Sequence, residues 1–519
     1  MHRGCSQIRA LEIKVVIRAV GAETVGILKR NITISRTGML AVRLRVWIGR
    51  GSTISLAAAI EFVSRFARTA ILSRILTPSE FGATVAMTVV IGTAGLISDV
   101  AIDKFVMVRS DENRALAAVH MLSLIRGALI ALALIAGASN ISQFFGVPQF
   151  SISFALIAIV PFVRSFGHLD IVQVQRTHNY FPSMLAQLLA QVAALVATLP
   201  AAYVLRDHRA ILVILVIESL VFCIASHLLA RKPYGLKSDR AVFFAALSFG
   251  IPLLANGVGL ALFSQLDRIL IGHWFDVSTL ATYAVILNMT IVPIALIHRV
   301  LGTLGLSYVS SRMKGTSVLG NDYLALVFVW GSVAALYALF VAVTLDWLIP
   351  LVFGSHFSVS PFVHVLIILF SFSQVAKGAP VTLLIATGRT ATLSLFTLIS
   401  GVGLIFAFFL IHWWPRFEVV LVCIVFGDFL SYGLLFFTKT VWLGSRRSAV
   451  LIDAASSLGS LAAIVLAFWF SPELTFGARG IVLSVGLLAI LVQMAFGIPR
   501  HRVAFKFRSM QLFKSRGAI

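Results

Sequence analysis

Fourteen apolar runs, each separated from the next by a polar stretch or by glycine and proline, organise this chain. They fall near 53–76, 81–102, 116–137, 149–168, 183–203, 210–230, 246–271, 280–303, 323–345, 361–386, 391–412, 417–439, 449–470 and 479–498. An α-helix needs about 20 residues to cross a bilayer, and these runs meet that length without the alternation of a barrel strand. The pattern predicts an all-α polytopic membrane protein with about 14 transmembrane helices. The first run, Thr53 to Leu76, also carries Glu61, Arg65, Arg68 and Arg74. At 100° per residue, Glu61, Arg65, Arg68 and Leu72 share one narrow face, while Phe62 and Phe66 point elsewhere. A charge near the bilayer centre costs about 2.5–3.5 kcal/mol on insertion scales, so that face turns toward protein or a watery cavity. Two readings stay open: Glu61 and Arg65 neutralise each other at i,i+4, or the arginines present charge to something that moves through the interior.

Composition agrees with the pattern. The chain has 519 residues, 59% of them hydrophobic and 12% charged, with a mean hydropathy of +0.99. Soluble domains are closer to 45–50% apolar and 25% charged. A net charge of +22 would point to nucleic acid in a soluble protein. Here it reads instead as basic loops against anionic headgroups, so no nucleic-acid partner is expected. Lysine and arginine gather on the side shared by both termini, whereas the opposite loops hold only Arg206, Arg209, Arg416 and Arg479. Both termini are therefore expected in the cytoplasm, and the strict alternation favours an even number of helices. Residues 1–52 hold ten lysines and arginines against Glu12 and Glu23 and contain no signal-peptide core, so they read as a basic cytoplasmic extension. Met39 is expected to be the true start, with 1–38 not native.

The remaining cations lie within or at the ends of spans: Arg65, Arg68, Arg74, Arg126, Arg268 and Lys377. Arg126 sits near the middle of the third run. Lys377 lies beside Gly378 and Pro380, which can break the tenth helix and expose carbonyls. Bland roles remain open for each: Arg126 paired with Asp99 or Glu61, Lys377 snorkelling, Arg268 paired with Asp267. Asn256, Gln265 and Asn288 can bond sugars or glue helices together. Glu61, Asp99 and Asp267 serve equally as ion-coupling sites or as pairing partners. Cys5, Cys223 and Cys423 form no CxxC, and histidines 120, 227, 298, 364 and 412 are scattered without ligand spacing, so no metal and no cofactor is expected. No Walker loop, DxD or HExxH occurs, and the outward loops are short.

Several segments resemble, in order, those of bacterial polysaccharide-export proteins. LSRILTPSEFG (Leu72 to Gly82) and LISDVAIDKFVMVRS (Leu96 to Ser110) come first. VQRTHNYFPSM (Val174 to Met184), FGIPLLANGVGLALFSQLDRILIGHW (Phe249 to Trp274), SYVSSRMKG (Ser307 to Gly315), LIPLVFGSHF (Leu348 to Phe357) and LLIATGRT (Leu383 to Thr390) follow. Together they span roughly Ile54 to Trp442. The family is similar to the oligosaccharide flippases of the multidrug/oligosaccharidyl-lipid/polysaccharide exporter superfamily. The resemblance implies two six-helix lobes around a central cavity (53–230 and 231–440), two further helices (441–498) and a basic tail (499–519). It implies a non-enzymatic flippase of the bacterial inner membrane that carries polyprenyl-diphosphate-linked oligosaccharides by alternating access, among membrane lipids and beside a polymerase and a chain-length regulator. On that reading Arg65, Arg68, Arg126 and Lys377 meet the diphosphate, and Asn256 and Gln265 the glycan. A drug antiporter of the same superfamily would instead present acidic cavity residues. A membrane glycosyltransferase or polymerase would show a catalytic acid on a long outward loop.

Overall fold

The computed structural model describes residues 60–108, 113–177, 179–311, 319–442, 447–470 and 478–495. The basic extension 1–52 with its Met39, and the tail 499–519, lie outside them. Every described element is helical, and no strand occurs among the described residues. In chain order the helices are α1 (60–75), α2 (Pro78–Ile97), α3 (Ile102–Val108), α4 (Asn113–Phe144), α5 (Ser151–Leu156), α6 (Ile159–Ser165), α7 (Asp170–Gln173), α8 (Phe181–Leu205) and α9 (Arg209–Leu229). There follow α10 (Arg240–Trp274), α11 (Val277–Ser310), α12 (Leu319–Phe353), α13 (Pro361–Ala376), α14 (Gly378–Ala386), α15 (Thr390–Leu410), α16 (Phe417–Trp442), α17 (Arg447–Trp469) and α18 (478–495).

Eleven of these segments are long and apolar enough to cross a membrane, and the protein is a multi-pass membrane protein. Two shorter apolar helices, Pro148–Arg164 and Arg240–Leu254, fall in the expected fourth and seventh spans. The expected first span begins before the described residues.

Local chemistry sets the boundaries. Thr77 accepts the Glu80 amide and Ser360 the Val363 amide, each followed by a proline in the first turn, where its missing N–H costs nothing. Asp239 and Asp276 cap α10 and α11 in the same way. Prolines also make the interruptions. Pro161 has no N–H for the Ile157 carbonyl, and the fourth span is broken there into α5 and α6. Pro380 cannot bond the Ala376 carbonyl, and the tenth span breaks at Lys377, where the sequence placed the break.

Helices α8 and α9 pack on one another and α9 on α6, while α12–α13, α13–α16 and α15–α16 pair in the second half. Contact between the halves runs largely through α2, which lies against both α10 and α11. At Gly82 a Cβ would come within 1.8 Å of the Val277 carbonyl oxygen, so the two backbones touch where only glycine fits. Near the other end of α2, a Cβ on Gly250 would come within 2.3 Å of the Val100 oxygen. Arg74 reinforces the first contact by donating to the carbonyls of Leu351 and Val352 at the end of α12. Phe66 against Phe353 and Phe81 against Phe357 close the same seam with edge-on rings. Large apolar side chains such as Leu129, Val196, Val204 and Leu228 remain exposed, as surfaces that face lipid do.

Candidate functional site

The cations of the spans sort into two kinds of surroundings. Arg68 is enclosed within the first half. Its guanidinium donates to Glu218 Oε2 at 2.7 Å on α9 and to Gln191 Oε1 at 3.1 Å on α8. Gln191 Nε2 donates in turn to Glu218 Oε1 at 2.8 Å, and Ser64 to the Gln191 carbonyl. Both charged side chains are 11% exposed. Lys377 is held likewise in the second half, 2.7 Å from Asp428 Oδ1 on α16, with Ser373 donating to the other carboxylate oxygen. Arg68 and Lys377, both expected to meet a diphosphate, thus each stand inside a buried ion pair in this structure. Drawing either away would leave a carboxylate buried and unpaired.

Arg65 and Arg126 are placed otherwise. Arg65 bonds Glu61 at 2.7 Å, one helical turn back, yet is 58% exposed with Glu61 at 34%. Arg126 on α4 stands 3.7 Å from Asp99, beyond good hydrogen-bonding distance, and its Nε has no partner. A third arginine joins them. Arg164 on α6 donates to Gln187 on α8 at 3.0 Å and lies 4.5 Å over the Phe222 ring, with its side chain still exposed. Arg65, Glu61, Glu218 and Asp103 act on it electrostatically, and Asp103 also feels Arg126 and Asp99. The first half thus presents three accessible guanidinium groups among Glu61, Asp99 and Asp103. Their forks are at most half engaged, which is the state in which a guanidinium can take a phosphate as a further partner.

In the second half, Gln265 accepts from Arg268 at 2.9 Å, and Tyr283 donates to Asp267 at 2.6 Å. The other Asp267 oxygen is buried without a partner. Asn288 donates to the Ala284 carbonyl within its own helix. The side chain of Asn256 lies outside the described residues. An apolar cavity of ≈460 Å3 opens at the seam between the halves, lined by Val89, Thr93, Leu134, Asn140, Phe144 and Ile269.

Sequence reasoning missed Arg164, Glu218 and Asp428. The signal for the two acids was plain, since each is a lone charge in mid-span; Arg164 was counted with the basic loops although it lies inside the 149–168 run. The histidines are also less scattered than expected. His120, His168 and His227 come together around Tyr234, with the His120 and His168 ring centres 4.8 Å apart. Among the described residues, no group of three or more potential ligands could hold a metal ion.

A family model described as polysaccharide biosynthesis protein matches residues 71–361, more than half of the chain. No curated protein matches. Among solved structures, the lipid II flippase MurJ in an inward closed conformation superposes with a TM-score of 0.63 at 14% identity, over 86% of this chain and 98% of that one. An inward-facing multidrug resistance transporter of the MATE family, in the MOP superfamily, gives 0.52 at 15% identity, over 75% and 95%. At such identities the likeness is one of fold: this chain folds as those transporters do.

Proposed function

Because the chain belongs to the polysaccharide biosynthesis protein family, we propose that it is a flippase for polyprenyl-diphosphate-linked oligosaccharide units, acting in the bacterial inner membrane for surface polysaccharide synthesis. The observation that carries this reading is the set of accessible, half-engaged arginines Arg65, Arg126 and Arg164 in a fold shared with a lipid II flippase. A diphosphate offers several anionic oxygens, each able to take a guanidinium fork. Glu61 and Asp99 hold the arginines while the site is empty and release them to the cargo. Gln265 and Asn256 serve the glycan, and the apolar cavity at the α2–α4–α10 seam accommodates part of a lipid tail. Both termini and the basic loops face the cytoplasm, so the arginine set lies nearer the side on which lipid-linked sugars are built. Chain polymerisation and length control fall to partner proteins.

The test is a deletion strain whose polyprenyl-diphosphate lipids are extracted and sized by mass spectrometry beside its surface polysaccharide. Complete repeat units on lipid without surface polymer are expected. Lipid-linked sugars that stop short of a full unit would place the protein in glycan assembly instead. Normal polymer with increased drug sensitivity would favour an antiporter of the MATE kind.

A further inference from the structure

The strap that joins α9 to α10, residues 230–239, is tied along its length to the first half of the molecule. Asp170 Oδ2 accepts the Arg231 amide at 2.7 Å and the Lys232 amide at 3.4 Å, and Lys232 Nζ donates to Gln173 at 2.8 Å. His120 Nδ1 stands 3.3 Å from the Gly235 carbonyl, and the Lys237 amide donates to Ala117 at 3.3 Å. Tyr234 fills a cage of imidazoles, its ring centre 4.4 Å from His120, 5.5 Å from His168 and 4.8 Å from His227. Asp239 then caps α10. The first turns of α10 sit against α3, with Val242 and Ala246 buried among Ile102, Phe105 and Val106. Where the strap is held therefore decides where α10 begins and how it closes on α3 at the basic end.

Backbone amides fix the protons in this cage. The Leu169 amide donates to His120 Nε2 at 3.1 Å, so the His120 proton is on Nδ1, facing Gly235. The Asp170 amide donates to His168 Nδ1 at 3.1 Å, so the His168 proton is on Nε2. That Nε2 is buried without a hydrogen-bond partner, and so is the Tyr234 hydroxyl. His227 Nε2 is spent on the Phe166 carbonyl at 3.0 Å. A second proton on His120 or His168 can go only where a backbone N–H already points. It would also stand beside two other imidazoles.

We propose that this cage is a proton-sensing clasp on the inter-half strap: closed while its imidazoles are neutral, and released when the cytoplasmic face is acidified. The groups that face it are His120 on α4, His168 in the turn leading to α7, Asp170 at the start of α7, Cys223 and His227 on α9, and Arg231, Lys232 and Tyr234 on the strap itself. Burial first, and the neighbouring His227 second, hold the His168 imidazole below its ordinary value of 6.5. A base whose value is lowered in the closed state binds fewer protons there than in the released state. The clasp is therefore at full strength above 6.5 and weakens as pH falls below it. Each proton taken up only on release shifts the balance by about tenfold per pH unit. The clasp stands on its own geometry and does not depend on what the protein carries.

Hydrogen exchange of the full chain in lipid nanodiscs at pH 7.5 and 5.5, expressed as protection factors, tests it without any substrate. Strap residues 230–239 are expected to lose at least about tenfold in protection at the lower pH while α9 keeps its own, which separates release from unfolding. The double variant His120→Gln, His168→Asn, whose amide oxygens can still accept the Leu169 and Asp170 amides, is expected to keep the strap protected at both pH values. Equal strap protection at the two pH values in the unaltered protein would overturn the proposal. So would a loss that persists unchanged in the double variant.

Discussion

Arg68 was expected to line a transport path and is found inside an ion pair, so its replacement separates the two roles. In Arg68→Leu the Glu218 carboxylate, 11% exposed, loses its 2.7 Å partner and keeps only Gln191. Breaking a buried pair from one side costs about 3–5 kcal/mol, because the remaining charge is uncompensated, whereas replacing both members with apolar residues is neutral or stabilising by about 1–4 kcal/mol. Arg68→Leu is therefore expected to lower the thermal unfolding midpoint of the detergent-purified protein and its membrane abundance, and to reduce surface polysaccharide in proportion. The double variant Arg68→Leu, Glu218→Leu should recover all three. Unfolding followed by intrinsic fluorescence, immunoblotting of membranes and polysaccharide assay of the same strains provide the comparison. A double variant that is stable and abundant yet exports no polysaccharide would refute the structural role and return Arg68 to the path.

Arg65→Ala and Arg126→Ala should each abolish surface polysaccharide with membrane levels intact, and Arg65→Lys should retain part of it, because a lysine keeps the charge without the fork. Wild-type polymer from the alanine variants would remove the diphosphate-binding role. Gly82→Val places a side chain where even a Cβ would lie 1.8 Å from the Val277 oxygen. Forcing α2 from α11 should cost at least about 1–3 kcal/mol, read as a lowered unfolding midpoint, and an unchanged midpoint would contradict the close approach.

What could be read from the chain followed the range of the forces involved. Helices were legible because spanning length and apolar content are local properties, and so was the break at Lys377, since Pro380 removes a bond four residues away. The Glu61–Arg65 pair was legible for the same reason: helix geometry names the partner. Glu218 stands out as a lone charge in mid-span, but it is 150 residues from Arg68, and nothing local names the two as partners. The cost of a charge in a membrane guarantees that some partner exists without saying which. That is why four central cations looked alike in sequence and part into two classes in the structure. Arg68 and Lys377 are satisfied within one half, and each is most useful where it is. Arg65 and Arg126, joined by Arg164, combine exposure with incomplete pairing, so they can exchange partners without leaving a charge stranded in the interior. The strap follows the same logic at the basic end. Three histidines from separate stretches converge there only because Asp170, Gly235 and Ala117 fasten the chain between the halves, a long-range arrangement with no trace in local spacing.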